Sequence, residues 1–293
     1  MRGLRSGDSA TWAAEHFIDE LGITELPVDP IAIARGLDID VYAKSASEKG
    51  VSGMLIRYEN NFAIAYSTHI DNEGFQRFSV GHEIGHYKLP GHVEQLFADG
   101  RTTHISHAGF VTDDPYELEA DHFSAGLLMP EKLFANELRN ADDGLDAVEH
   151  LAGICKTSRE ATAIRYSEMT DTLAAVIMST GQTIDYCFMS KPLKEVKGLE
   201  WIRKGQPVPS GTATERFNAV PTNVARALRT DDSTTLSDWF GGDCDAEFYE
   251  EVTGLGSYGK TLTVLYAPED LDLEDAEEDD DLEASYEVRF RKR

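Results

Sequence analysis

The sequence predicts an α+β fold made of two or three units. Its 293 residues exceed one minimal domain, and its hydrophobic fraction of 41% is ordinary for a globular protein. Some segments repeat apolar residues at helical spacing, whereas others alternate apolar and polar residues as half-buried strands do. No window approaches about 18 consecutive apolar residues, so no transmembrane helix is predicted.

The first ninety or so residues are predicted to form three helices, one strand and one hairpin. Ser9 suits a helix cap and Gly22 a helix end, whereas Pro30 suits the first turn of a short second helix. The predicted elements are a helix over about residues 9–21, a short helix after Asp29, a strand over 37–42, a hairpin of 51–57 and 62–67, and a helix that carries residues 75–89 and ends at Pro90-Gly91.

Residues 91–114 are predicted to form one long loop, and most of the helices follow it. The first of these helices begins near Asp114-Pro115 and ends before Met129-Pro130. Beyond it the sequence predicts helices over 130–139, 145–155 and 158–168, a hairpin of 173–178 and 183–189 around Gly181, and a single strand over 261–266.

We place a domain boundary near Ser190, because the periodic pattern weakens beyond Lys191. The predicted organisation has four parts, namely a first domain over residues 1–140, a helical segment with a hairpin over 141–190, a further domain over 191–267 and an acidic, disordered tail over 268–293.

The composition indicates which partners, which disordered segment and which cellular compartment to expect. A net charge of −26 disfavours nucleic acid as a general partner, because phosphate contacts need positive charge. Eleven acidic residues lie between positions 269 and 283, a run typical of solvated, disordered chain. The three cysteines are odd in number and form no CxxC pair, which favours a reducing compartment. Residues 1–10 lack the apolar core of a signal peptide, so a cytoplasmic location is predicted.

The chemistry of the chain is concentrated in His82-Glu83-Ile84-Gly85-His86, an HExxH motif. Positions i and i+4 lie on one face of a helix, so both imidazoles reach one metal ion and Glu83 lies beside the attacking water. The same five-residue pattern also arises by chance in amphipathic helices that bind no metal. The hydrophobic face formed by Phe75, Phe78 and Leu89 next to the histidines favours the metal site.

A carboxylate downstream completes a zinc ligand set of two histidines and one glutamate. Glu117 and Asp121 are four residues apart and share a helical face, so Glu117 is predicted to bind the metal while Asp121 orients a ligand histidine. Glu119 points elsewhere on the helix and is predicted to be a solvated charge. This ligand set favours zinc, with manganese as the alternative.

Five further histidines lie near the motifs, and an ordinary surface or loop position is favoured for each of them. His104 and His107 are the best candidates for an accessory role, as an extra ligand or as a donor to the transition state, because the predicted loop between the metal helices carries them. The other three are His69, His92 and His122.

Several stretches in order resemble the ImmA/IrrE family of metallopeptidases over about residues 10–169. They are Pro27-Val28-Asp29-Pro30, Arg77-Phe78-Ser79-Val80-Gly81 leading into the HExxH motif, Glu117-Leu118-Glu119-Ala120-Asp121-His122-Phe123-Ser124-Ala125, and Leu127-Leu128-Met129-Pro130. The chain departs from the family at Gly81, where Ala is usual, and at Asp121, where Asn is frequent.

The resemblance implies a zincin-like metallopeptidase domain, with helices and a small twisted sheet, and a smaller C-terminal α+β region. It implies zinc on His82, His86 and Glu117, with Glu83 as catalytic base. It also implies a protein substrate, a helix-turn-helix repressor or antitoxin-like protein whose cleavage derepresses stress, phage or mobile-element genes, often encoded next door.

Residues 145–169 resemble a helix-turn-helix extension, in which Lys156, Arg159 and Arg165 form a small basic patch. Direct DNA binding through this segment is a secondary hypothesis, because the chain is strongly acidic. The leading prediction is therefore a site-specific zinc endopeptidase. The alternative is a non-catalytic, metal-containing regulator that binds a repressor or DNA, although a purely structural metal site has no need of Glu83.

Overall fold

The structure is a computed structural model that describes residues 6–45, 50–107, 114–242 and 244–268. The predicted acidic run and the basic end of the chain lie outside the described residues, from position 269 onward. The chain divides into two compact units, with the division between Met169 and Thr170. Within the described part, every helix is too short or too polar to cross a membrane.

The first unit combines helices with a four-stranded sheet, and its elements follow the predicted α+β order. In chain order they are α1 (Ser6–Glu20), α2 (Pro30–Gly36), β1 (Ile39–Lys44), β2 (Gly53–Tyr58), β3 (Asn61–Ser67), α3 (Glu73–Lys88), α4 (His92–Leu96), a 3₁₀ turn (Ala98–Gly100), β4 (Thr103–Ser106), α5 (Pro115–Leu128), α6 (Glu131–Leu138), α7 (Gly144–Cys155) and α8 (Arg159–Met169).

Side-chain caps fix where three of these helices begin. The Asp29 carboxylate accepts from the backbone N–H groups of Ile31 and Ala32, and Pro30 occupies the first turn of α2, where no N–H is needed. Asn72 caps α3 and Asp114 caps α5 in the same way. The helices that carry the HExxH motif and Glu117 therefore have starting points set by their own sequence.

The sheet has the strand order β1-β3-β2-β4, in which β1 and β3 are parallel and the other pairs antiparallel. The predicted long loop over residues 91–114 is wrong, because this segment contains α4, the 3₁₀ turn and β4. Strand β4 has only four residues, too few to show alternation in the sequence. Its pairing with β2, from Gly53 opposite Ser106 to Ile56 opposite Thr103, makes it a strand.

The core of the first unit lies between the sheet and α1, α2, α3 and α5. Helix α3 packs against α5 and against β2 and β3, while α1 packs along the other side of α5. Fully buried side chains from each element meet there, including Ala14, Leu55, Ile64, Ile84 and Leu127. Helix α3 is therefore held on both sides, which fixes the direction of its histidine face.

The second unit is built on a five-stranded antiparallel sheet with the order β6-β5-β9-β8-β7. Its elements are β5 (Ala174–Thr180), β6 (Thr183–Met189), α9 (Lys191–Lys194), α10 (Ala213–Asn218), α11 (Pro221–Ala225), β7 (Arg229–Thr235), α12 (Leu236–Phe240), β8 (Glu247–Gly254), a 3₁₀ turn (Gly256–Tyr258) and β9 (Thr261–Tyr266).

The hairpin of β5 and β6 belongs to this second sheet, whereas the sequence prediction grouped it with the preceding helices. Strand β5 pairs with β9 over six residues, from Ala174 opposite Tyr266 to Ser179 opposite Thr261. The units therefore divide some twenty residues before Ser190, at residue 169. A pairing between strands so distant in sequence leaves no local signal, so periodicity alone could not reveal it.

Candidate metal centre

Helices α3 and α5 approach closely at the centre of the first unit, and small residues make the approach feasible. A Cβ on Gly85 would lie 3.2 Å from the Cα of Ala120 and 3.2 Å from the Cβ of Phe123. At Gly81, a Cβ would lie 2.5 Å from the Oγ of Ser124. The Ser124 hydroxyl, which donates to the carbonyl of Phe78, thus occupies the space that an alanine at position 81 would need.

Three side chains converge where these helices meet, and together they could hold a metal ion. The Nε2 atoms of His82 and His86 are 3.0 Å apart, as the i, i+4 spacing predicts. Glu117 reaches across from α5, with Oε2 at 3.3 Å from Nε2 of His82 and Oε1 at 3.3 Å from Nε2 of His86. The sequence prediction of these three residues as one cluster agrees with this geometry.

Asp121 lies behind His82 and determines which of its nitrogens faces the cluster. Its Oδ1 is 2.8 Å from Nδ1 of His82, and both side chains are almost fully buried. Because a carboxylate only accepts, Nδ1 of His82 carries a proton and Nε2 points at the centre. This is the orienting contact that the spacing of Glu117 and Asp121 predicted.

Strand β4 contributes two more side chains to the same region. The Nε2 of His104 is 2.9 Å from Oε1 of Glu117, and its ring centroid is 4.8 Å from that of His86. Ser106, two residues further on the same face of the strand, is buried beside Glu83. His107 is exposed and its ring lies near Gly50, apart from this cluster. Of the two accessory candidates, the fold brings only His104 to the centre.

Glu83 is completely buried next to the two histidines. Neither of its carboxylate oxygens has a hydrogen-bond partner of normal geometry among the described residues. Strand β2 makes room for it, since a Cβ on Gly53 would lie only 2.5 Å from Oε1 of Glu83. Burying a carboxylate costs free energy, so its position beside the two histidines calls for a chemical explanation.

The charges of the cluster shift several pKa values. Burial raises the pKa of Glu83 to about 7, with His82 and His104 opposing the rise in part. Burial lowers the pKa of His82, but hydrogen bonds to Asp121 and Glu117 outweigh it and raise that pKa to about 10. Burial brings the pKa of His86 down to about 3. Burial raises the pKa of Glu117, yet contacts with His104 and both other histidines outweigh it and hold that pKa far below its usual range.

The prediction for His92 was wrong, and the contact that Glu119 makes was missed. His92 was predicted at the surface or in a loop, but it is fully buried, with Nδ1 at 3.0 Å from Nδ1 of His86. Glu119 was predicted to be solvated, and its side chain is 29% exposed, yet its Oε2 also lies 3.1 Å from Nε2 of His92. The only available signal was that His92 follows Pro90-Gly91, which turns the chain sharply back toward α3.

The donor set fits a zinc ion. Two imidazole nitrogens and one carboxylate, converging from two helices, match the three protein ligands of catalytic zinc sites with one position left open. The two Nε2 atoms are 3.0 Å apart, and Glu117 lies within 3.3 Å of each, so all three donors can reach one ion. His82, His86 and Glu117 would hold the ion, and manganese remains the alternative for the same donors.

Comparison with known proteins agrees with this site. Residues 34–167 match the sequence profile of a peptidase family described as the IrrE N-terminal-like domain. The matched segment contains the HExxH motif and Glu117.

Residues 34–167 form an ImmA/IrrE-type domain.

The structure of this protein, with its ImmA/IrrE-type domain, also resembles that of a solved protein, a Mycobacterium tuberculosis transcriptional regulator. The two share 12% sequence identity and superpose with a TM-score of 0.55 over 88% of this chain and 87% of that chain. A likeness at this identity concerns the fold alone, and it confirms the predicted α+β class with a zincin-like first unit. No curated protein sequence matches the chain.

Metal binding is expected to release protons at a pH where free histidine is already neutral. With a pKa of about 10, His82 carries an extra proton at pH 8, and the metal must displace it from Nε2. We expect about one proton or more per zinc ion, measured by calorimetry in two buffers of different ionisation enthalpy. Zinc binding without proton release at pH 8 would show that His82 is already neutral.

Proposed function

We propose that this protein, with its ImmA/IrrE-type domain, is a zinc-dependent endopeptidase that cleaves a regulatory protein with a helix-turn-helix domain. The observation that carries the proposal is Glu83, a completely buried carboxylate beside His82 and His86 that is not one of the three converging ligand side chains. A structural metal site would use the ligands alone, whereas hydrolysis also needs a base. The match of residues 34–167 to a peptidase family supports the same reading.

Each side chain has a defined task in the proposed reaction. A bound zinc ion would supply Lewis-acid activation of the scissile carbonyl and of the attacking water. Glu83 would accept the proton of that water and pass it to the nitrogen of the leaving amine. Asp121 would keep His82 in the tautomer whose Nε2 faces the centre, and His104 would orient Glu117 from the side of β4.

The raised pKa of Glu83 suits this task. A general base works best when its pKa lies near the working pH, and burial raises the pKa of this carboxyl to about 7. The carboxylate must be ionised to accept a proton. Cleavage is therefore expected to weaken as the pH falls below neutrality, with the positive charge of the metal moving that limb to lower pH.

A protein substrate is more consistent with the chain than DNA. The net charge of −26 opposes phosphate contacts. The three cations of the helix-turn-helix-like segment are also occupied by carboxylates of the same unit, which are Glu73 for Lys156 at 3.1 Å, Glu149 for Arg159 at 3.3 Å and Glu15 for Arg165 at 2.8 Å. The similar Mycobacterium tuberculosis protein is described as a transcriptional regulator, which fits a regulatory target.

The test is cleavage of a candidate helix-turn-helix protein, sought first among the proteins encoded beside this gene. Purified full-length chain, loaded with zinc or stripped by a chelator, is incubated with that protein and the products are weighed by mass spectrometry. We expect one defined cut that requires zinc. Stable association without a cut, by zinc-loaded protein, would instead support the non-catalytic regulator.

A further inference from the structure

A path of three side chains from α3, α4 and α5 runs from the buried candidate ligand cluster to a partly exposed carboxylate. It begins at His86, continues through His92 at the start of α4, and ends at Glu119 on α5. Nδ1 of His86 and Nδ1 of His92 are 3.0 Å apart, and Nε2 of His92 is 3.1 Å from Oε2 of Glu119. The three groups therefore form one continuous hydrogen-bonded path.

The proton positions along this path follow from its far end. A carboxylate only accepts hydrogen bonds, so Nε2 of His92 carries a proton and donates to Glu119. In neutral His92 the other nitrogen, Nδ1, is then an acceptor. The proton between the two facing Nδ1 atoms consequently belongs to His86. With Nδ1 protonated, the Nε2 of neutral His86 presents a lone pair toward His82 and Glu117, as a metal ligand must.

We propose that His92 and Glu119 are positioning residues that fix the tautomer and orientation of His86 for metal binding. The inference rests on the proposed metal site of His82, His86 and Glu117. It gives each histidine ligand its own support, since Asp121 accepts directly from His82 whereas Glu119 acts on His86 through His92.

The surroundings of His92 restrain its ring and support this role. His92 is fully buried, and the ring of Tyr116 packs edge-on against it with centroids 4.9 Å apart. Gly91, whose backbone φ is +83°, immediately precedes His92 and turns the chain toward α3. Replacing the buried imidazole of His92, both of whose nitrogens are hydrogen-bonded, is costly because it leaves the Nδ1–H of His86 without an acceptor.

Zinc affinity of the full-length chain, measured by competition with a chromophoric chelator, tests the proposal without any substrate. His92→Leu removes both nitrogens and is expected to weaken zinc binding by roughly 10- to 100-fold, the usual effect of losing such an outer contact. His92→Asn places an amide oxygen where Nδ1 was, so it should restore most of the affinity. Glu94→Gln, an exposed change on the same helix, should leave the affinity unchanged.

A second measurement reports the tautomer directly. In zinc-loaded wild-type protein, long-range proton–nitrogen correlation spectra of labelled histidine should show a proton on Nδ1 of His86 and on Nε2 of His92. A proton on Nδ1 of His92 would overturn the proposal, as would equal losses of affinity in His92→Leu and His92→Asn. Wild-type protein that binds no stoichiometric metal would overturn the proposed function itself, which separates the two failures.

Discussion

Glu83→Gln is expected to abolish peptide cleavage while leaving the metal bound. The amide has nearly the shape of the carboxylate but cannot accept a proton from the attacking water. General-base catalysis contributes about 10²- to 10⁴-fold to such reactions, so we expect a rate loss of at least that order. Zinc affinity should change little, because Glu83 is not among the three side chains whose ligand atoms converge.

The measurement is cleavage of the proven partner by zinc-loaded wild type and variant, with metal content determined for both. The variant should also retain its partner, since the docking surface is unchanged, and could therefore trap the complex. Glu94→Gln makes the same chemical change at an exposed site and serves as the control. Undiminished cleavage by Glu83→Gln would remove the basis of the endopeptidase proposal.

Gly53→Ala is expected to lower the cleavage rate on the order of 100-fold with little loss of stability. The new Cβ would lie 2.5 Å from Oε1 of Glu83 and 3.3 Å from its Cδ, so the carboxylate must move. The nearest atom is the end of a flexible side chain, so the carboxylate can shift while the backbone of β2 stays in place. Misplacing a reacting group by about 1 Å costs rates of this size.

The matched control is Gly153→Ala, on an exposed face of α7 where an added Cβ meets no atom within 4 Å. It should leave the rate unchanged and raise stability by about 1 kcal/mol, the difference in helix propensity between the two residues. The pair is compared by kcat/KM, zinc affinity and thermal unfolding. Gly53→Ala protein that binds zinc and cuts at the wild-type rate would show that β2 does not constrain Glu83.

Local spacing was sufficient to predict the ligand cluster. His82 and His86 face one way because an α-helix repeats every 3.6 residues, and Glu117 and Asp121 share a face of α5 for the same reason. Their helices begin where Asn72 and Asp114 supply caps, a signal that the sequence also carries. What spacing could not fix was the contact between the helices, which depends on Gly85 meeting Ala120.

Segments without a period were predicted least well. The four residues of β4 become a strand only because β2 offers a hydrogen-bonding edge, and that pairing alone delivers His104 and Ser106 to the centre. Strand β7 was missed for a related reason. Its sequence, Arg229 to Thr235, is polar and mostly exposed at the edge of the second sheet, so it shows no apolar alternation.

By itself, then, the sequence determined the α+β class, the two helices that carry the candidate metal ligands, and the side chains that each helix turns toward the other. These depend on periodicity and capping, which act over a few residues. Only the tertiary structure decided that Gly53 leaves space for Glu83 and that His104 contacts Glu117. It also decided that His92 contacts His86 and that Glu119 contacts His92. Such contacts join residues that are distant in the chain. Tertiary packing, and not the spacing of residues in the sequence, determines which of them meet.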